Sequence, residues 1–229
     1  MSGVPEGLAV AIPRCYQPPG FGRVVRSEIH VFCDASAQAI GLVIYLKRWN
    51  ESNQTAVSFV LGSSKVGPRA ATSIPRLELC AAVEATRITG KIIKELDIRV
   101  DQTVYYSDNM IVLGYLTNTS KSFQRYVTSR VSVILKRSDP NQWRYIPTKE
   151  NPADIATRPH TPSALKDTIW LDGPDFLSSP DYLLSDPGPS KAPTEYQGKL
   201  PVEIEVVKTL KTLTNAPDIL KICGERYEY

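Results

Sequence analysis

Hydrophobic positions in the first third of the chain fall into three short runs separated by polar turns. The runs cover residues 28–33 (EIHVFC), 39–49 (AIGLVIYLKRW) and 55–61 (TAVSFVL), and β-branched and aromatic residues are frequent in them. Such runs are typical of β-strands, and short polar connections favour antiparallel pairing. The pattern therefore predicts a three-stranded antiparallel meander.

The hydrophobic period then changes to that of a helix. Over residues 73–96 apolar side chains recur on one helical face, and they are Leu77, Ala81, Ile88, Ile92 and Leu96. Ser73 is a suitable N-cap and Pro75 suits the first turn. We expect one long helix here.

Shorter elements follow this helix. Residues 103–106 (TVYY) and 142–146 (QWRYI) are strand-like, residues 110–116 and 123–136 are helical in pattern, and Asn151-Pro152 begins a last short helix. The predicted order is βββαβααβα. This order predicts an α/β fold with a five-stranded mixed sheet and helices on both faces.

Proline content predicts three segments. Residues 1–27 are expected to form a connector with little regular structure, and residues 28–160 the folded domain. Residues 161–201 contain seven prolines and predict an extended linker with a docking patch at Ile169, Trp170, Phe176 and Leu177. Residues 202–216 are expected to form a short strand or helix.

Charge is unevenly distributed along the chain. Residues 28–160 contain 17 Lys and Arg against 12 Asp and Glu, a net of +5, whereas residues 161–229 contain 7 against 11, a net of −4. A basic surface favours phosphate backbones. A merely soluble, slightly basic domain explains the same numbers equally well.

Several protein classes are disfavoured. The chain has no apolar run of 18 residues that would span a membrane, and its N-terminus lacks a signal-peptide pattern. The four cysteines (Cys15, Cys33, Cys80 and Cys223) form no CxxC pair, and the two histidines are His30 and His160, so a zinc site has no support. We expect reduced, mostly buried thiols in a cytoplasmic or nuclear protein that is not secreted.

Four carboxylates stand in positions that suggest chemistry. Asp34 and Asp108 each follow a predicted strand, Glu78 lies among apolar residues of the long helix, and Asp154 is in the first turn of the last helix. If these side chains converge, each close pair of like charges costs roughly 1 to 4 kcal/mol. Divalent cations such as Mg²⁺ would relieve that repulsion, and two ions about 4 Å apart can hydrolyse a phosphodiester.

Each carboxylate also has a simpler interpretation. Asp34 would suit a turn, Asp108 an N-cap, and Asp154 a capping arrangement with Asn151. Glu78 would suit an exposed ion pair with Arg76. The metal hypothesis therefore depends on the four residues together, and most on Glu78, because a charge among apolar neighbours needs a partner.

The motifs around these carboxylates resemble the ribonuclease H domains of BEL/Pao-type retrotransposon polyproteins. They are residues 30–36 (HVFCDAS), 41–46 (GLVIYL), 74–79 (IPRLEL), 106–109 (YSDN) and 143–158 (WRYIPTKENPADIATR). Residues 13–16 (PRCY) and 170–177 (WLDGPDFL) are similar to the regions that flank such domains. The resemblance covers roughly residues 10–180.

The resemblance implies a ribonuclease H-like fold and an endonuclease that hydrolyses the RNA strand of RNA–DNA hybrids during reverse transcription. It implies two Mg²⁺ (or Mn²⁺) ions. Asp34 would bridge both, Glu78 and Asp108 would hold the ion near the leaving group, and Asp154 the ion that activates water. The products would carry a 3′-hydroxyl and a 5′-phosphate.

The implied partners are the RNA–DNA hybrid and the upstream reverse transcriptase domain of the same polyprotein. Residues 161–229 would lead toward an integrase region, and the cytoplasmic location would include virus-like particles. The residues expected to contact nucleic acid are Ser36, Lys65, Arg69, Arg76 and Asn109. Many family members carry a histidine before the last aspartate, and residues 147–152 have none, which puts the turnover rate in doubt.

Two alternatives remain open from the sequence. A domesticated or inactive module would keep the fold and bind nucleic acid or a protein, but retention of all four acids favours activity. An exonuclease or integrase core would share the fold, but the positions of Glu78 and Asp154 fit ribonuclease H better. Hybrid, duplex RNA and single-stranded DNA as substrates would separate these possibilities.

Overall fold

A computed structural model describes residues 15–67, 73–118 and 122–179 of the chain. Its centre is a five-stranded sheet whose strands are β1 (Val24–Ala35), β2 (Ala39–Asn50), β3 (Thr55–Val66), β4 (Gln102–Ser107) and β5 (Trp143–Tyr145). The spatial order is β3-β2-β1-β4-β5. β1, β2 and β3 pair antiparallel, whereas β1–β4 and β4–β5 are parallel pairs. The predicted meander and mixed sheet are confirmed.

Five α-helices accompany the sheet in the described residues. They are α1 (Ile74–Glu95), α2 (Met110–Thr117), α3 (Arg125–Leu135), α4 (Ala153–Ala156) and α5 (Pro162–Lys166). Short 3-10 helices form at Pro140–Gln142, Thr148–Glu150 and Asp175–Ser178. The predicted order βββαβααβα is confirmed as far as α4. Ser73 is the N-cap residue of α1, but its side chain makes no capping hydrogen bond.

Alternation along the strands gives the sheet two buried faces. Ile29 and Val31 of β1 face the larger core, to which α1, α2 and α3 contribute. Phe32 faces the opposite side and packs in a second core with Ala153 of α4 and Leu177. Successive side chains of a strand point to opposite faces, so a sheet buried on both sides needs nearly continuous apolar strands. The predicted helices on both faces are therefore confirmed.

The segment after residue 160 packs on the second face. The Tyr45 hydroxyl donates to the carbonyl oxygens of Ile169 (3.2 Å) and Trp170 (2.7 Å). Leu177 is fully buried in the second core, and Trp170 and Phe176 pack against it. The predicted docking patch is thus confirmed, but the expectation of an extended linker is wrong for residues 161–179.

Residues before the predicted domain start also contribute to the sheet. β1 begins at Val24, and the buried Phe21 accepts a 2.7 Å hydrogen bond at its carbonyl from Asn50 Nδ2. Arg69, residues 1–14 and the tail from 180 to 229, including the predicted element at 202–216 and Cys223, lie outside the described residues. The three-segment division stays a prediction.

The second face also carries a buried polar chain. His30 Nε2 lies 3.2 Å from Glu28 Oε2, and His30 Nδ1 lies 3.1 Å from the Tyr106 hydroxyl. Burial lowers the pKa of His30, which favours a neutral imidazole bridging these two partners. His30 is therefore a hydrogen-bonded core residue.

None of the helices in the described part of the chain combines the length and the apolar character that crossing a bilayer requires.

Candidate metal centre

Two parallel strands bring Asp34 and Asp108 to one edge of the sheet. Phe32 of β1 pairs with Tyr106 of β4, and each aspartate follows two residues after its member of that pair. Neighbouring strands lie about 4.8 Å apart, so the two carboxylates emerge side by side. Asp34 is buried and Asp108 is half-buried.

Helix α1 supplies the third carboxylate. Glu78 lies between the buried residues Leu77 and Leu79 and is itself only 5% exposed. One carboxylate oxygen from each of Asp34, Glu78 and Asp108 can be chosen so that all three lie within 4.8 Å of one another. The exposed ion pair considered for Glu78 is therefore wrong, because this side chain points into a buried acidic group.

The acidic group resists ionisation. Burial, followed by the charges of Asp34 and Asp108, raises the pKa of Glu78 to about 9. Burial, followed by the charges of Asp108 and Asp154, raises the pKa of Asp34 to about 6. The pKa of Asp108 is also raised, chiefly by burial, although a hydrogen bond from Thr148 opposes the shift. A cation at this point would favour the ionised forms of all three.

One atom of the group lacks a partner. Glu78 Oε2 is buried and accepts no hydrogen bond. Buried polar atoms are nearly always satisfied, and leaving one unpaired costs about 1–3 kcal/mol. Hard divalent cations prefer carboxylate oxygens as ligands. Both the donor set and the unpartnered oxygen are compatible with a divalent metal ion.

Asp154 lies beside this group but outside it. Its Oδ1 forms an ion pair with Arg158 Nη2 at 3.1 Å along α4. Its charge nevertheless contributes to the raised pKa of both Asp34 and Asp108. The structure therefore brings three of the four predicted carboxylates into one group and places the fourth at its border.

Two threonines that the sequence analysis did not single out, together with Asn151, hold the site in place. Thr157 Oγ1 donates to Asp34 Oδ2 at 3.3 Å, and Thr148 Oγ1 donates to Asp108 Oδ2 at 2.6 Å. Asn151 Nδ2 donates to the Cys33 carbonyl at 3.2 Å, next to Asp34. No local pattern predicts these three hydrogen bonds, because the partners are distant in the sequence.

Asn109 rather than Asp108 caps α2. Asn109 Oδ1 accepts from the backbone N–H groups of Ile111 (2.9 Å) and Val112 (3.2 Å). The N-cap interpretation of Asp108 is therefore wrong, and its carboxylate stays with the acidic group. The predicted nucleic-acid contact of Asn109 remains a prediction.

The remaining predicted contact residues have structural partners. Ser36 Oγ accepts from the backbone N–H groups of Gln38 and Ala39 and so stabilises the β1–β2 turn. Lys65 pairs with Glu84 at 3.3 Å. The Arg76 guanidinium lies over the Tyr126 ring at 4.7 Å. Their binding to nucleic acid stays a prediction, as does that of Arg69.

Comparison with protein families identifies this arrangement. Residues 4–109 match the model of the Pao retrotransposon-like RNaseH-like domain, and the match includes Asp34, Glu78 and Asp108. This part of the chain is similar to the ribonuclease H-like domains of the Pao retrotransposon family. The resemblance stated from its motifs is thereby confirmed.

The solved structures to which the chain is similar include ribonucleases H. Ribonuclease H1 from the archaeon Halobacterium salinarum is 13% identical over 63% of this chain and 100% of its own, with a TM-score of 0.37. The N-terminal ribonuclease H domain of a Mycobacterium tuberculosis protein, fused to maltose-binding protein, is 11% identical. The match covers 58% of this chain and 95% of that chain, with a TM-score of 0.38. LC11-RNase H1 in complex with an RNA/DNA hybrid is 15% identical. The match covers 61% of this chain and 99% of that chain, with a TM-score of 0.38. No curated protein matches the chain.

Proposed function

We propose that this chain is a metal-dependent endonuclease that hydrolyses the RNA strand of RNA–DNA hybrids during retrotransposon reverse transcription. One observation carries the proposal: Asp34, Glu78 and Asp108 present oxygens within 4.8 Å of one another in a buried group. Gathering ionised carboxylates there costs free energy, which a bound cation would compensate. The match of residues 4–109 to the model of the Pao retrotransposon-like RNaseH-like domain supports the same conclusion.

The carboxylates would divide the work of holding two Mg²⁺ or Mn²⁺ ions. Asp34 is the candidate shared ligand, as the resemblance to ribonuclease H domains implies, and the charges of both Asp108 and Asp154 are near enough to raise its pKa. Glu78 and Asp108 would complete one site and Asp154 the other. When bound, such ions supply an activated water and neutralise charge on the leaving oxygen.

The chain's own residues would position these ligands. Thr157 and Thr148 each donate to a carboxylate oxygen and so fix its rotamer. Arg158 holds Asp154 at the border, and this ion pair would have to loosen for Asp154 to join the other three. Contacts to the 2′-hydroxyl in the wide minor groove would select RNA, with Asn109 as the proposed source. Lys65, Arg69 and Arg76 would contact phosphates, and Ser36 is a further proposed nucleic-acid contact.

The decisive experiment compares Asp108→Asn with Asp97→Asn on a hybrid whose RNA strand is labelled. Asp97 is exposed at a positive φ of 47°, a conformation that asparagine also tolerates. We expect Asp97→Asn to cleave the RNA strand in Mg²⁺ at the parental rate. Asp108→Asn should cleave at least about 100-fold more slowly, because a candidate metal ligand is removed. A chelator should stop cleavage. Cleavage by Asp108→Asn at the parental rate would overturn the proposal.

One observation favours an inactive module that binds nucleic acid or a protein. Asp154 is paired with Arg158 and stands outside the three-carboxylate group. If the parental chain binds the hybrid but does not cut it in Mg²⁺ or Mn²⁺, this alternative is correct. The upstream reverse transcriptase domain is the proposed partner, and adding it in trans would show whether activity depends on it.

A further inference from the structure

A basic cleft lies away from the carboxylates. It has a volume of about 760 Å³ and is lined by the second half of α1 together with residues of β3 and β4 and of the segment that follows α3. Its charged lining consists of Lys65, Arg87, Lys91, Lys94 and Arg137, with Glu84 as the acid. We refer to it as the α1 cleft.

The positive charges of the α1 cleft are only partly neutralised. Glu84 is shared between Lys65 at 3.3 Å and Arg87 at 3.4 Å. Within the described part of the chain, no carboxylate lies within ion-pair distance of Lys91 or Lys94. Uncompensated cations gathered in a concave surface focus a positive potential and attract polyanions.

A glycine without a packing role lies among these cations. Gly90 is exposed in the last third of α1, and a Cβ added there would meet nothing within 4 Å. Glycine inside a helix costs about 0.5–1 kcal/mol relative to alanine. Arg87 and Lys94 lie three and four residues away from it on the same helical face. The missing side chain leaves the helix backbone open to close approach between the two.

We propose that the α1 cleft binds the sugar-phosphate backbone of nucleic acid at a point separate from the cutting site. This inference rests on the proposed function, which makes nucleic acid the polyanion that the domain handles. Gly90 follows Glu78 by 12 residues, which is about 18 Å along the helix at 1.5 Å per residue. Phosphates in the cleft therefore belong to a stretch of nucleic acid other than the one at the carboxylates.

The test uses the full chain carrying Asp108→Asn, in chelator, with a fluorescent RNA–DNA hybrid at several salt concentrations. Lys91→Gln/Lys94→Gln is compared with Arg23→Gln/Lys166→Gln, which removes the same charge from exposed residues outside the cleft lining. We expect the cleft variant to weaken binding about 10-fold and to reduce the slope of log K against log salt by about 2, because two phosphate contacts are lost. The comparison variant should keep the parental slope.

A second pair of variants controls for indirect effects of substitution on the helix. Gly90→Gln and Gly90→Glu both replace the glycine by a better helix former and differ only in charge. We expect Gly90→Glu to weaken hybrid binding several-fold more than Gly90→Gln. Equal binding by these two variants, together with a parental slope for Lys91→Gln/Lys94→Gln, overturns the proposal.

The outcomes for the cleft and for the catalytic proposal are separable. If the parental chain never cuts the hybrid in Mg²⁺ while the cleft variants still lose affinity, the proposed function fails and the cleft proposal stands. Polyglutamate is added as a competitor. If polyglutamate binds as tightly as the hybrid and only its binding depends on Lys91 and Lys94, the ligand is an acidic protein segment and the cleft proposal is wrong.

Discussion

Gly41 pairs with Asp34 across the β1–β2 ladder and also provides the surface on which α4 rests. A Cβ at Gly41 would lie 2.3 Å from the Ala153 carbonyl oxygen and 2.9 Å from Thr157 Cγ2. The absent side chain therefore sets how closely α4, with Asp154, approaches the sheet.

Gly41→Ala should displace α4 and separate Asp154 and Thr157 from Asp34. We expect a stability loss of about 1–3 kcal/mol from overpacking and at least a 10-fold loss of hybrid cleavage. Thermal unfolding and initial cleavage rates measure the two effects. Gly62→Ala is the control, because its Cβ would meet the Trp170 side chain at 2.3 Å rather than a backbone atom of α4. Equal losses of activity in both variants would contradict this role of Gly41.

The metal-free domain should lose stability as the pH rises. The folded state holds the pKa of Glu78 at about 9, against an ordinary value of 4.5, so the folded state binds the extra proton between these values. The stabilisation is fully present below about pH 4.5 and disappears as the pH rises through about 9. Asp34 contributes in the same direction, because folding raises its pKa from 3.8 to about 6. Thermal unfolding in chelator from pH 5 to 9 measures the decline.

Mg²⁺ should reverse this decline at pH 8, because metal binding requires the ionised carboxylates and is linked to proton release. Glu78→Gln stays neutral at every pH and should flatten the metal-free profile. A melting temperature in chelator that stays constant from pH 5 to 9 would show that Glu78 is not buried in this way.

Thr148 should tune metal affinity through Asp108. Its hydroxyl donates to Asp108 Oδ2 at 2.6 Å, which opposes the raised pKa of that carboxyl. Thr148→Ala should weaken Mg²⁺ binding about 10-fold, in the range typical of groups that orient metal ligands. Thr148→Ser keeps the hydroxyl and should retain near-parental affinity. Titration of Mg²⁺ against melting temperature or cleavage rate distinguishes the two variants.

Leu177 should be essential for stability although it lies beyond the predicted domain. It is fully buried in the second core, so Leu177→Ala should cost about 2–5 kcal/mol. Leu135 is 42% exposed at the end of α3, and Leu135→Ala should cost less than 1 kcal/mol. Denaturant unfolding measures both. Similar midpoints for the two variants would show that residues 161–179 do not stabilise the sheet.

Local pattern was sufficient to predict most of the fold. The strands and α1 were predictable because apolar period and capping signals are properties of neighbouring residues. The positions of Asp34 and Asp108 were predictable for the same reason, since each follows a strand. The start of β1 at Val24 was not, because the polar residues Arg26 and Ser27 interrupt the apolar pattern from which the strand was predicted.

Contacts between residues that are distant in the sequence could not be predicted from it. Thr148 and Asp108 are separated by 40 positions and Thr157 and Asp34 by 123, and a single sequence does not indicate which hydroxyl meets which carboxylate. The ion pair of Asp154 with Arg158 is local, at i and i+4, and spacing alone would have revealed it.

The parallel pairing of β1 with β4 has a consequence for how the domain tolerates change. Because the separation of Asp34 and Asp108 follows from backbone ladder spacing, insertions in the connections between elements leave it intact. Only a slip of one strand against the other would pull the pair apart, and such a slip would also turn the apolar side chains of that strand outward. The backbone hydrogen bonds between β1 and β4 therefore maintain both the spacing of these two carboxylates and the burial of the core side chains.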